Sequence, residues 1–237
     1  MTETLFQKDS YLRHCSASVT HADERGLQFD QTVFYATAGG QPGDTGTITT
    51  NDGNRFDVTG TIKDHDTTEH IHVINGDPTA ITVGSVCELD INWQQRFRYM
   101  RMHSCMHMLC ALIDAPVTGG SIQDGRARLD FDLTETVDKE KLTQALNALI
   151  KADHTMSVQW ITNEELDAQP ELVRTLSAKP PRTSGKIRLV NFDGIDLQPC
   201  GGTHVASTAE IGEVIVTKVE KKGRQNRRVI VKFADEV

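Results

Sequence analysis

Over the first ninety or so positions, apolar and polar residues alternate in short runs broken by Gly, Asn and Asp. The runs are GLQFDQTVFY (26 to 35), GDTGTITT (43 to 50), NRFDVTGTI (54 to 62), EHIHVING (69 to 76) and SVCELDIN (85 to 92). A period of two over a few residues puts one face of the chain in a core and the other in water, so each run predicts a strand. Their succession predicts a small N-terminal β-barrel over residues 1–91. The period then becomes helical from Trp93 to Ile113, with Asn92 as N-cap, Gln95 as its capping-box partner and Pro116 beyond the end. A second domain over 92–237 begins there.

Within that domain the pattern predicts a strand at RARLDFDL (126 to 133). A helix follows over 138 to 152, with Leu142, Leu146, Leu149 and Ile150 on one face. A strand at SVQWIT, a helix capped by Thr162 and Glu165, a polar linker at SAKPPRTSGK (177 to 186) and a strand at IRLVNFD come next. A hairpin closes the chain, GEVIVTKV and RRVIVKFA joined through KKGRQN. The order implies a two-layer α+β domain with helices on an antiparallel sheet, so the fold class is α+β.

At 237 residues with 38% hydrophobic content, the chain can bury a substantial core. No window approaches 18 consecutive apolar residues, and MTETLFQKDS lacks a basic segment followed by an apolar run. The expectation is a cytoplasmic protein with no membrane contact. Five widely scattered cysteines, an odd number, read as reduced thiols. The net charge of -8 is unevenly distributed: residues 1 to 90 hold 5 Lys/Arg against 14 Asp/Glu, and residues 91 to 237 hold 20 against 19. The tail KVEKKGRQNRRVIVK gathers seven cations around Glu220. Such a patch attracts phosphate over a Debye length of roughly 8 to 10 Å despite the acidic total, although a solvated edge hairpin carries Lys for its own reasons.

The chemistry sits in two segments. His103 and His107, in MRMHSCMHML, are four residues apart on the predicted helix and share a face. Nine histidines in a chain of this length produce that spacing by chance often enough that it proves nothing alone, and a methionine-rich helix usually signals core packing. The second segment is LQPCGGTHV, where Cys200 and His204 flank two glycines that let the backbone turn sharply and aim both side chains one way. Two imidazoles on a helix with a thiolate and an imidazole on a loop make a ligand set suited to Zn²⁺.

HSCMH, PCGGTH and a third block, DQTVFYATAGGQPGDTGTI (30 to 48), together resemble the editing domain of alanyl-tRNA synthetases and the freestanding alanyl-tRNA editing proteins often called AlaX. The resemblance implies a β-barrel domain joined to a zinc-bearing editing domain. It also implies His103, His107, Cys200 and His204 as metal ligands, and hydrolysis of Ser or Gly wrongly esterified to alanine tRNA. Segments for amino-acid activation are absent, so a stand-alone editor is expected. Ala36 and Ala38 stand where the family commonly has a Pro and a third Gly, which bears on the shape of the loop before Gln41.

Three roles follow from the groups present. Gln41, on a loop that Gly39 and Gly40 let approach an ester closely, is the candidate to orient water or the carbonyl. Thr32 is the candidate reader of the serine hydroxyl, since a polar partner is what separates Ser from Ala. Arg96, Arg98, Arg101, Arg227 and Arg228 are candidate tRNA phosphate contacts. Two rival readings stay open: a binding module with a purely structural zinc, and another zinc-dependent aminoacyl ester hydrolase such as a threonyl-tRNA editor.

Overall fold

The computed structural model describes residues 2 to 176 and 185 to 237; the linker expected at 177 to 186 lies outside the described residues as far as position 184. The chain is mixed α and β, forming two compact units, Met1–Phe97 and Arg98–Val237.

In the first unit, strands β2 (His14–Asp23), β3 (Gly26–Phe29), β5 (Gly46–Thr50), β6 (Arg55–Lys63), β7 (His70–Ile74) and β8 (Val86–Ile91) close a barrel in the order β2-β3-β7-β6-β5-β8. A short β1 (Glu3–Thr4) pairs in parallel with β4 (Gln31–Thr32). The predicted runs account for β3 to β8, but not for β2, HCSASVTHAD. Its inward residues are the small Cys15 and Ala17 with Val19, so its alternation is weak in hydropathy although they are buried. Leu27, Phe29, Val33, Phe34, Ile48 and Leu89 fill the barrel without solvent contact, each contributing roughly 1.5–3 kcal/mol.

Helix α1 (Trp93–Leu112) begins in the first unit, and its residues from Arg98 onward belong to the second. Asn92 caps the helix, its Oδ1 accepting from Gln95 N at 3.2 Å. The expected reciprocal bond gives way to a tertiary one: Asn92 N donates to Thr45 O, and Thr45 Oγ1 donates to the Gln95 side chain at 2.6 Å.

In the second unit, β9 (Val117–Gln123), β10 (Arg126–Asp132), β14 (Val214–Lys221) and β15 (Asn226–Phe233) form an antiparallel sheet in the order β14-β15-β10-β9. Helix α2 (Lys139–Lys151) is N-capped by Asp138 and buries Leu142, Leu146 and Ile150. Asn147 fixes it to β14, donating to Val214 O and accepting from Val214 N. A separate antiparallel sheet holds β11 (Met156–Thr162), β12 (Lys186–Phe192) and β13 (Asp196–Pro199) in that order. The expected single sheet is thus two. Thr162 and Glu165 form the predicted capping box of α3 (Asn163–Asp167).

The later turns of α1 are buried on every side, with Met100, Met102, Cys105, Met108 and Leu109 all inaccessible. The methionines are core packing. Against that apolar background, His103 and His107 are the residues that need an explanation.

Candidate metal centre

Helix α1 presents His103 and His107 one turn apart, and β13 runs directly into Cys200 and His204. One ligand atom from each of the four residues lies within 4.8 Å of the other three, and all three histidines are buried. Cys200 Sγ is 3.5 Å from His103 Nε2 and 3.3 Å from His204 Nε2. A tetrahedral zinc with ligands at 2.0–2.3 Å has donor–donor edges of about 3.3–3.8 Å, and the two distances from the sulfur match those edges. Cys200 is the one residue of the four that is not fully buried.

Cys200 and His204 are held in the forms that bind a cation. Burial opposes ionisation of Cys200, but the His103 and His204 imidazoles outweigh it and hold the thiol well below its ordinary pKa, in the thiolate form. Burial, then His103, push His204 well below its ordinary value, keeping it neutral. His107 goes the other way: burial opposes its charge, yet hydrogen bonding to Asp196 and Cys200 raises it to about 9.

The second layer was not legible as function in the sequence. Asp196 Oδ2 accepts from His107 Nδ1 at 2.6 Å, which leaves Nε2 for an ion. Gln198 Nε2 donates to the same Asp196 oxygen at 2.7 Å, and Arg174 lies 3.7 Å from the other oxygen. Ser104 Oγ is 3.2 Å from His204 Nδ1 and accepts from Val205 N. Asp196, Gln198 and Cys200 alternate along one strand, so carrying the period of two back from the cysteine would have found them. The loop differs from expectation too: neither Gly201 nor Gly202 has a positive φ. Its shape is held by Arg188, which donates to Cys200 O at 2.7 Å and Gly202 O at 3.0 Å.

The glycine block belongs to the first unit. Gly39 and Gly40 have φ of +56° and +84°, and Ala38 and Gln41 exchange backbone hydrogen bonds across them, a tight turn of the kind that takes glycine at both centres. Ala38 occupies the flanking position, where no positive φ is needed, so its replacement of a glycine is harmless to the turn. Gln41 is buried. Thr32 is also buried: its hydroxyl pairs with His72 Nε2 at 2.8 Å and accepts from Phe34 N at 3.0 Å. With His72 Nδ1 donating to Leu27 O, the threonine proton goes to the histidine, and one hydroxyl lone pair is left over.

The five arginines are placed otherwise than the phosphate reading expects. Arg96 is fully buried on Asp44, with further bonds to Ser10 O and Val33 O, so no phosphate can reach it. Arg227 is buried against Thr134 O and Glu135 O. Arg98 pairs with Asp124 and Glu236, Arg101 with Ile211 O and the face of Phe233, and Arg228 with Asp130. Arginine is almost never fully buried unless it is paired, as Arg96 is with Asp44. At the hairpin tip Lys221, Lys222 and Arg224 are exposed, Lys222 in an ion pair with Glu220 at 3.0 Å.

A barrel unit is followed by three imidazoles and a thiolate gathered on a helix and a sheet-borne loop, a set that could hold one metal ion. Residues 187–230 match the family described as "Threonyl and Alanyl tRNA synthetase second additional domain", and residues 6–95 match "tRNA synthetases class II (A)". The chain is 34% identical over 233 residues to the alanyl-tRNA editing protein AlaX-M of Saccharolobus solfataricus, covering 97% of this chain and 98% of that protein. It is 31% identical to AlaX-M of Methanosarcina acetivorans over 99% and 100% of the two. Alanine–tRNA ligase of Saccharolobus islandicus is 31% identical over 93% of this chain, which corresponds to 25% of the ligase. This chain belongs to the alanyl-tRNA editing protein family, AlaX-M.

Proposed function

We propose that this chain is a zinc-dependent deacylase that hydrolyses serine, and secondarily glycine, esterified in error to alanine tRNA in the cytoplasm. The observation that carries the reading is the convergence of His103, His107, Cys200 and His204 around a point large enough for one ion. Family membership supplies the tRNA. Among the described residues no helix is long and apolar enough to cross a membrane.

When bound, Zn²⁺ supplies Lewis acidity towards an ester carbonyl and brings water's pKa towards neutrality. The chain does the rest. His103, His107, Cys200 and His204 hold the ion, with Asp196 and Ser104 aiming the rings of His107 and His204. Selection of serine over alanine needs an acceptor for the serine hydroxyl that alanine leaves unused. The hairpin tip at Lys221, Lys222 and Arg224 meets the phosphates.

The test is to incubate Ser-tRNA(Ala) and Ala-tRNA(Ala) with the purified protein, with and without a chelator. Loss of the seryl ester alone, abolished by chelation and by His103→Ala in a protein that keeps its circular dichroism, is the expected result. A chelated protein that unfolds, or a metal-bound one that leaves both esters intact, supports a structural zinc instead.

A further inference from the structure

The sequence has two tryptophans, and they are treated differently. Trp93 is covered: the Arg13 guanidinium lies 4.3 Å over its ring, and Phe97 is stacked on it at 5.5 Å. Trp160 is 44% exposed on β11, and among the described residues no ring or cation stacks on it. Among the described residues it is the one exposed tryptophan, tyrosine or phenylalanine.

Register locates it. Trp160 is directly opposite Arg188 on β12, and Cys200 N donates to Arg188 O from the far side, so Trp160, Arg188 and Cys200 form one row across the sheet. Directly opposed residues share a face. The face in question is the metal-bearing one: Phe192, on the same side of β12 as Arg188, has its ring 5.5 Å from His107, and Asp196 and Gln198 reach His107 from β13. Two strand spacings put the Trp160 backbone about 10 Å from that of Cys200. Arg188, between them, is buried and bound to the loop carbonyls, so it fills the floor of the gap and leaves the indole standing at its edge.

We infer that Trp160 is the stacking platform for the terminal adenine of the substrate tRNA. This rests on the editing reading, and the covalent structure of the substrate supports it. The scissile ester is on the ribose of the last nucleotide, so ester carbonyl and adenine ring lie at opposite ends of one nucleoside. When the carbonyl is at the ion beside Cys200, the base has to find a partner one nucleoside away on the same surface. Trp160 is the aromatic residue at that place. A base has a π-face whatever its sequence, and stacking on an indole strengthens binding without reading an edge.

The test uses the zinc-loaded full chain and two seryl minihelices carrying the alanine acceptor stem, one ending in adenosine and one in a ribose without a base. Wild type is expected to favour the adenosine-ended substrate in kcat/KM on the order of ten-fold or more. Trp160→Ala loses that preference through KM, falling to the level of the baseless substrate and hydrolysing the latter like wild type. Trp160→Phe, which keeps a ring, retains most of the preference. In a Trp93→Phe background, emission of the remaining tryptophan is quenched by the adenosine-ended minihelix and not by the baseless one. Equal losses on both substrates, an unchanged preference in Trp160→Ala, or a wild-type dimer that Trp160→Ala dissolves each overturns the assignment. Wild type inactive on both minihelices overturns the editing reading itself, and the platform with it.

Discussion

His107 Nδ1 and Asp196 Oδ2 are 2.6 Å apart, both side chains almost wholly buried, and the carboxylate is braced by Gln198 and Arg174. A carboxylate there fixes the tautomer and the ring plane of the imidazole, and raises its basicity towards a metal.

Asp196→Asn is therefore expected to keep the fold and weaken zinc binding by roughly 10–100-fold. Competition with a chromophoric chelator measures it, with circular dichroism as the control. Unchanged zinc affinity would show that the carboxylate only packs.

Cys200→Ser replaces a thiolate by a hydroxyl that does not ionise near neutrality. Loss of stoichiometric zinc and of seryl-ester hydrolysis together is expected, and full zinc occupancy in the variant counts against Cys200 as a ligand.

The barrel histidines make stability depend on acid. Burial lowers His70 to about 4 and His72 to about 3. Below pH 6.5 the unfolded chain takes up protons that the folded barrel refuses, so stability is intact above 6.5 and falls as pH drops towards 4. At ~1.4 kcal/mol per unit, each histidine removes about 3 kcal/mol by pH 4. Urea midpoints between pH 7.5 and 4.5 should fall more steeply for the wild type than for His70→Leu, and parallel curves would refute the assignment.

Arg96→Ala leaves the Asp44 carboxylate buried without its partner, at a cost of about 3–5 kcal/mol. The measurement is chemical denaturation of the variant beside the wild type. A loss below about 1 kcal/mol would mean that water reaches Asp44.

Lys221→Glu with Arg224→Glu should weaken tRNA binding and flatten its dependence on salt, the slope falling by about one per lost phosphate contact. Arg227→Ala, which removes a buried clamp, should lower stability instead. Filter binding at several salt concentrations separates the two effects.

Much of this was legible in the residues alone. Alternation in EHIHVING and SVCELDIN specifies barrel strands because a period of two needs no tertiary information, and the Asn92, Asp138 and Thr162 caps are local hydrogen bonds that sequence neighbours supply. His103 with His107 and Cys200 with His204 could be nominated for the same reason, each pair being set by a short spacing on one element.

What the sequence could not decide is anything fixed between distant segments. Whether the two pairs meet, separated as they are by nearly a hundred positions, depends on β13 lying against α1. The same holds for the basic residues: Arg96 and Arg227 look like phosphate ligands until Asp44 and the carbonyls of 134 and 135 are seen to enclose them. Asp196 and Trp160 carry no local signature at all, since an aspartate gains its role from the imidazole it touches and a tryptophan from the row in which pairing places it. Local spacing determined which side chains could act. Strand pairing and burial, which set distances and dielectric between segments remote in the chain, determined which of them do.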